Sequence, residues 1–157
     1  MYDLEGNTLH TEDFYDLAMS APKELGCIPH RRPHMVRPNK NSMPHTHVLI
    51  PFFDRLSGIH ILDANTREIV GCFNTDDYGP GLVHDVSWAY DDSFFVAVDL
   101  SGLVHKFSSD LESNTFAYEN SFSIVPYMND LETSVVKPIS AEVTRNGLIY
   151  VTMSKGG

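Results

Sequence analysis

Residues 84–107, HDVSWAYDDSFFVAVDLSGLVHKF, decide the fold. Short β-branched and aromatic runs alternate here with turn residues, which is the pattern of strands joined by tight loops. Val83–Ala89 (VHDVSWA) reads as a strand and Tyr90-Asp91-Asp92-Ser93 as a turn. Phe94–Asp99 (FFVAVD) is the next strand, Leu100-Ser101-Gly102 the next turn, and Leu103–Phe107 (LVHKF) a third strand. Gly and Asp suit such loops because they tolerate left-handed backbone or bond to it locally.

Upstream, the same order appears. Thr46–Phe53 (THVLIPFF) leads through the turn Asp54–Gly58 to Ile59–Leu62 (IHIL). The turn Asp63–Thr66 then leads to Glu68–Phe73 (EIVGCF). Downstream, Thr115–Phe122 (TFAYENSF) closes the second round. Pro138–Val143 (PISAEV), the turn Thr144–Gly147 and Leu148–Thr152 (LIYVT) begin a third. Gly58 and Gly102 lie 44 residues apart, and His34 and His84 lie 50 apart. A recurrence of this length predicts an all-β chain of antiparallel four-stranded blades of a β-propeller, forming an incomplete arc. A β-sandwich is the competing all-β fold, but it does not require segments to return in one order with similar turns.

On this reading residues 1–31 are a lead-in segment. Its Asp13–Met19 stretch predicts a short helix with Thr11 as N-cap, ended by Pro22 and Gly26. Residues 32–82 form one blade, 83–137 a second, and 138–157 the start of a third. An open arc has two bare blade faces. Burying each large apolar side chain is worth about 1.5–3 kcal/mol, so further blades or other chains are expected to cover them.

The 157 residues carry 11 Lys and Arg against 21 Asp and Glu, a net charge of −10. That balance repels phosphate backbones and anionic lipid, so no nucleic-acid or membrane partner is expected. No apolar run approaches the roughly 20 residues of a membrane helix. The start, MYDLEGNTLH, lacks the features of a signal peptide, so the chain as written is expected in the cytoplasm. An upstream start would reopen the periplasm. Cys27 and Cys72 form no CxxC, haem-attachment or zinc-type spacing and are expected as two free thiols.

Tyr150-Val151-Thr152-Met153, followed by Gly156-Gly157, resembles the signature of YVTN-repeat propellers, the YncE-like family, with Met153 where that signature has Asn. Residues 32–66, with RPHMV, HVLIPFF and the start of SGIHILDANTREIVG, look like one family blade. The opening stretch looks like the next, with YDD where the family often has Pro-Asp-Gly. The resemblance implies a seven-bladed parent of which about two and a half blades are present. It also implies kinship in fold with the haem-bearing propeller of a nitrite reductase and with quinoprotein dehydrogenases.

The expected role is a WD40-like binding scaffold that takes a protein or small ligand at the channel mouth. His34 and His84 enter matching first strands, Ser140 is placed as their third-blade counterpart, and Arg32 stands beside His34. These four are the candidate ligand-binding residues. No catalytic residue and no cofactor is expected. In a redox alternative, His34 and His84 would help hold a metal or haem-type cofactor, since imidazole ligates both.

Other polar features have plainer readings. His45-Thr46-His47 is expected as a solvated hairpin corner, and His60 and His105 as ordinary strand surface. The Arg31-Arg32, Arg37 and Lys40 cluster is expected as a solvated turn, and Asp76-Asp77 as a solvated connection. Asp63, Asp91 and Asp92 suit backbone bonding in turns. Trp88 is expected to pack between blades. No Walker loop, GxSxG elbow, HExxH or Rossmann fingerprint occurs.

Overall fold

A computed structural model describes residues 25–27, 33, 35–53, 58–79, 81–124 and 136–155. The lead-in helix expected over Asp13–Met19, the candidates Arg32 and His34, and Gly156-Gly157 lie outside those residues.

Three antiparallel sheets follow one another along the chain. The first contains β1 (Arg37–Pro38), β2 (His47–Pro51), β3 (Ile59–Asp63) and β4 (Glu68–Phe73), paired in that order. The second contains β5 (Val83–Trp88), β6 (Phe94–Asp99), β7 (Leu103–Asp110) and β8 (Thr115–Ser123), again in chain order. The third pairs β9 (Val136–Val143) with β10 (Ile149–Lys155). A four-residue helix, α1 (Thr75–Tyr78), connects the first two sheets. Asn74 caps it by accepting from the Asp76 amide, while Asp77 accepts from the Asn74 amide.

The turns repeat with the sheets. Gly58 (φ 58°) and Gly102 (φ 89°) both stand immediately before a third strand in left-handed backbone. A Cβ at Gly58 would overlap the Phe73 carbonyl, so the close approach needs glycine as well as the dihedral. Asp63 and Asp110 both end a third strand. Each accepts backbone amides two and three residues ahead, from Asn65 and Thr66 and from Glu112 and Ser113.

Alternation along each strand sends side chains to opposite faces. Leu49, Ile59 and Ile61 of the first sheet meet Val86, Trp88, Phe95 and Phe107 of the second in one buried cluster. Phe95 and Phe107 stack with ring centroids 4.7 Å apart, and Trp88 packs edge-on to Phe95 at 5.3 Å. Trp88 therefore packs between sheets, and its indole N–H donates to the Arg37 carbonyl at 3.0 Å. The contact between the second and third sheets is built from smaller groups, Ala89, Val96, Val98, Val104, Ala141 and Val143.

The two outward sides of this arc differ. The first sheet's outer side, expected to be bare, buries Ile50, Phe52, Leu62 and Ile69, with Leu25, Val36 and Val48 packed on them. Chain that precedes the first strand folds back over that side. Cys27, expected as a free thiol, is joined there to Cys72 of β4 in a disulfide whose Cα atoms are 6.2 Å apart. A separation of 45 residues carries no spacing signal, so only the fold-back brings the two sulfurs together. On the third sheet, by contrast, Ile139, Leu148 and Tyr150 are exposed.

Candidate functional site

The inner strands β1, β5 and β9 converge on Asp85, whose side chain is fully buried. Arg37 of the first sheet gives it a two-pronged contact, from Nε at 3.3 Å and Nη2 at 3.2 Å. From the third sheet, the Ser140 hydroxyl donates to it at 2.6 Å and the Ala141 amide at 3.1 Å. One carboxylate thus binds three consecutive sheets. A buried charge demands such partners because its desolvation is costly.

A second polar layer lies one step along the strands. Lys40 Nζ donates to Glu142 at 2.6 Å, to the Val143 carbonyl at 2.8 Å and to Ser87 Oγ at 3.2 Å. Arg37 and Lys40 were expected in a solvated turn, yet they bridge sheets, because the β1–β2 loop lies directly over the next inner strand. Asp92, in the equivalent loop of the second sheet, accepts Asn39 Nδ2 at 2.7 Å and the amides of Lys40 and Asn41.

At the other end of the inner strands, β5 and β9 each carry one extra residue against the partner strand. Val83 and Asp85 pair with consecutive residues of β6, leaving His84 as the bulge. Pro138 and Ser140 pair with consecutive residues of β10, leaving Ile139 as the bulge. Bulges re-aim side chains at sheet ends. His84 Nδ1 lies 2.8 Å from the Ile139 carbonyl, and since a carbonyl only accepts, Nδ1 carries the proton. The Phe53 ring stands 5.8 Å from the His84 ring. Ile139 is therefore the structural counterpart of His84, and Ser140 that of Asp85. Alignment of PIS with RPH misses this by one residue, because a bulge leaves no mark on composition.

Of the four predicted residues, the structure thus brings His84 and Ser140 to neighbouring inner strands. Arg32 and His34 lie outside the described residues. The redox alternative needs His34 and His84 together, and of the two His84 alone lies among the described residues. His84 commits Nδ1 to a carbonyl, Ser140 commits its proton to Asp85, and Asp85 is paired with Arg37. Arg37, Asp85, Ser87 and Glu142 were not among the predicted site residues. Their signal, polar residues facing inward on first strands, becomes readable only once register is known.

The other histidines also differ from expectation. His60 and His105, read as strand surface, are both fully buried. Each follows a turn closely and points to the sheet's packed side. His105 Nε2 donates to Asp99 Oδ2 at 2.9 Å, and the Ser101 hydroxyl and Leu103 amide also donate to Asp99. Burial pushes the Asp99 carboxyl up, but these hydrogen bonds outweigh it and hold the group below its ordinary value. His47, expected at a solvated corner, is 3% exposed and reaches Asn114 of the second sheet at 2.7 Å.

Between the β1–β2, β5–β6 and β7–β8 loops lies a polar cleft of about 400 Å³. Asn41, Asp91, Asp110 and Glu112 are among its walls. Hydrogen bonds from Ser93 hold the Asp91 carboxyl below its ordinary value, and those from Ser113 and Glu112 do the same for Asp110. The cleft is anionic at neutral pH.

No protein-family profile matches the chain, and no curated protein matches it in sequence. Solved structures do resemble it. A chain of the mitotic checkpoint complex matches over 79% of this chain and 35% of its own length, with TM-score 0.58 and 9% identity. The β-propeller domain of Cps50 (Swd1) from Myceliophteria thermophila matches over 78% of this chain and 44% of its own, with TM-score 0.43 and 17% identity. The chain spans less than half the length of either. Antiparallel sheets that pair their strands in chain order and pack one on the next make the fold that of a β-propeller arc whose sheets are not closed into a ring.

Proposed function

We propose that the chain is a segment of a β-propeller that acts as a protein-interaction scaffold. The observation that carries this is the asymmetry of the third sheet. Ile149 and Val151 pack inward on the second sheet, while Ile139, Leu148 and Tyr150 stand exposed. Among the described residues, β10 pairs with β9 alone. A strand edge beside exposed apolar side chains favours association with another sheet. The partner is protein, in the form of further blades or another chain. The bulged end of the inner strands, with His84 and Ser140 and with Arg32 and His34 added, would be the second contact region. The YVTN-like phrase at Tyr150–Met153 supports a YncE-like parentage. The redox alternative rests on His34 and His84 together, and no described contact favours it. The Cys27–Cys72 disulfide favours an oxidising compartment over the cytoplasm expected from the sequence start.

Site-specific photocrosslinking in the source cell tests the scaffold reading. A benzophenone side chain at Tyr150 should capture one discrete protein, while the same group at Glu119 on the second sheet should not. Absence of any discrete adduct at Tyr150, or equal adducts at both sites, would overturn it.

A further inference from the structure

Cys27, His60 and Cys72 bring three ligand atoms, two Sγ and one imidazole nitrogen, within 4.8 Å of one another. Among the described residues this is the one cluster of three such groups. We propose that reduction of the Cys27–Cys72 disulfide converts this cluster into a zinc site, so that disulfide and zinc are alternative staples of the same fold-back. This reading is independent of the scaffold role.

The three residues come from three segments held in fixed relation. His60 on β3 and Cys72 on β4 are direct register partners, so both side chains stand on one face of the first sheet. Cys27 belongs to the segment laid over that face, and its neighbour Gly26 accepts from Asn74 Nδ2. Zinc holds thiolate sulfur at about 2.3 Å and imidazole nitrogen at about 2.0 Å. Tetrahedral ligands around it stand somewhat under 4 Å apart by that geometry. The cluster spans the required distance once the two sulfurs are no longer bonded. The Cα separation of 6.2 Å suits either linkage.

Charge selects the ion. Cys27 and His60 are buried, and Phe52 lies with its ring centroid 4.8 Å from that of His60. Ile50, Leu62 and Ile69 are buried on the same side. Two thiolates and a neutral imidazole around a divalent ion give zero net charge, which costs least in such surroundings. A monovalent soft ion would leave a buried negative charge. Soft sulfur ligands disfavour magnesium and calcium. Three protein ligands leave a fourth position for water or an exogenous ligand.

The chemistry balances. A trialkylphosphine gives two electrons to the disulfide and water supplies the oxygen and two protons, leaving two thiols and the phosphine oxide. Zinc then displaces two thiol protons and binds two thiolates and His60, so two protons are released per metal.

The test uses the full 157-residue chain, phosphine-reduced under anaerobic conditions and titrated with cobalt(II) and then zinc. Reduced wild type should bind one equivalent of cobalt with tetrahedral and thiolate charge-transfer absorption that zinc abolishes. The oxidised chain should show neither. Cys72→Ser should lose the tight site, and His60→Ala should weaken zinc by about 10- to 100-fold or more, since even outer partners of a ligand matter by that factor. Trp88 fluorescence follows folding in parallel. If reduction unfolds the chain, zinc should restore the native emission. A reduced chain that takes up no stoichiometric metal overturns the proposal. So does a chain that unfolds and is not rescued, or one that binds equally well without His60.

Discussion

The two ends of the arc present the same architecture in opposite states. At the first sheet, Ile50, Phe52, Leu62 and Ile69 are buried under Leu25 and Val36, and Cys27–Cys72 fastens the cover. At the third sheet, Ile139, Leu148 and Tyr150 face outward. A blade face is apolar on both sides because each blade expects a neighbour, and whatever lacks one must be capped or remain adhesive. The chain caps one end with itself. The other end is where the proposed scaffold role places its partner.

Substitution separates the two ends most sharply. Phe52→Ala should destabilise the chain by about 3–5 kcal/mol, as other large-to-small changes in a packed core do. Tyr150→Ala should fall within about 0.5 kcal/mol, as exposed changes do. Urea melts followed by Trp88 fluorescence measure both. Equal losses would mean that the two ends are not in different states.

The cover itself comes next. Cys72→Ser should cost about 2–4 kcal/mol under oxidising, metal-free conditions, because it frees a long loop in the unfolded chain. The same melts in phosphine should show wild type falling to the level of Cys72→Ser. Wild type unmoved by reductant would show that packing alone holds the cover.

A smaller effect belongs to the hub that joins both ends. Asp85→Ala removes the shared acceptor of Arg37, Ser140 and the Ala141 amide, and should cost about 1–3 kcal/mol. Backbone hydrogen exchange in β9 should rise more than in β2, because the third sheet loses two bonds to a carboxylate. Exchange confined to β5 would argue that Asp85 serves only its own strand.

The smallest effect is one of pH. Asp99 titrates below its ordinary value in the folded chain, so its ionised form contributes stability at neutral pH. That contribution is complete above the ordinary carboxylate range and is lost as pH falls through the lowered value. Asp99→Asn should flatten this part of the acid limb in urea melts taken across pH. An unchanged limb would show that the buried pair with His105 is not its source.

Much of this fold is legible in the sequence because turn chemistry is local. Gly58 and Gly102 advertise left-handed backbone, and Asp63 and Asp110 advertise amide-accepting turns, so strand order and repeat can be read directly. The hub is less legible. A carboxylate such as Asp85 has the same letter buried or exposed, and the bulge at Ile139 shifts Ser140 by one register step. His60 and His105 look like surface because their strands alternate imperfectly. The disulfide is silent in sequence because only three-dimensional fold-back creates it. Legibility fails wherever a residue's role depends on a neighbour far away in the chain.

Methyl and aromatic nuclear Overhauser spectra of the labelled chain test most directly whether the sheets stack side by side in chain order. The ring of Trp88 should show cross-peaks to the methyls of Leu49 and Ile61. Methyls of Val96 and Val98 should show cross-peaks to Ala141 and Val143. Cross-peaks from Leu49 or Ile61 to Ala141 or Val143 would place the first sheet on the third and contradict the propeller arc.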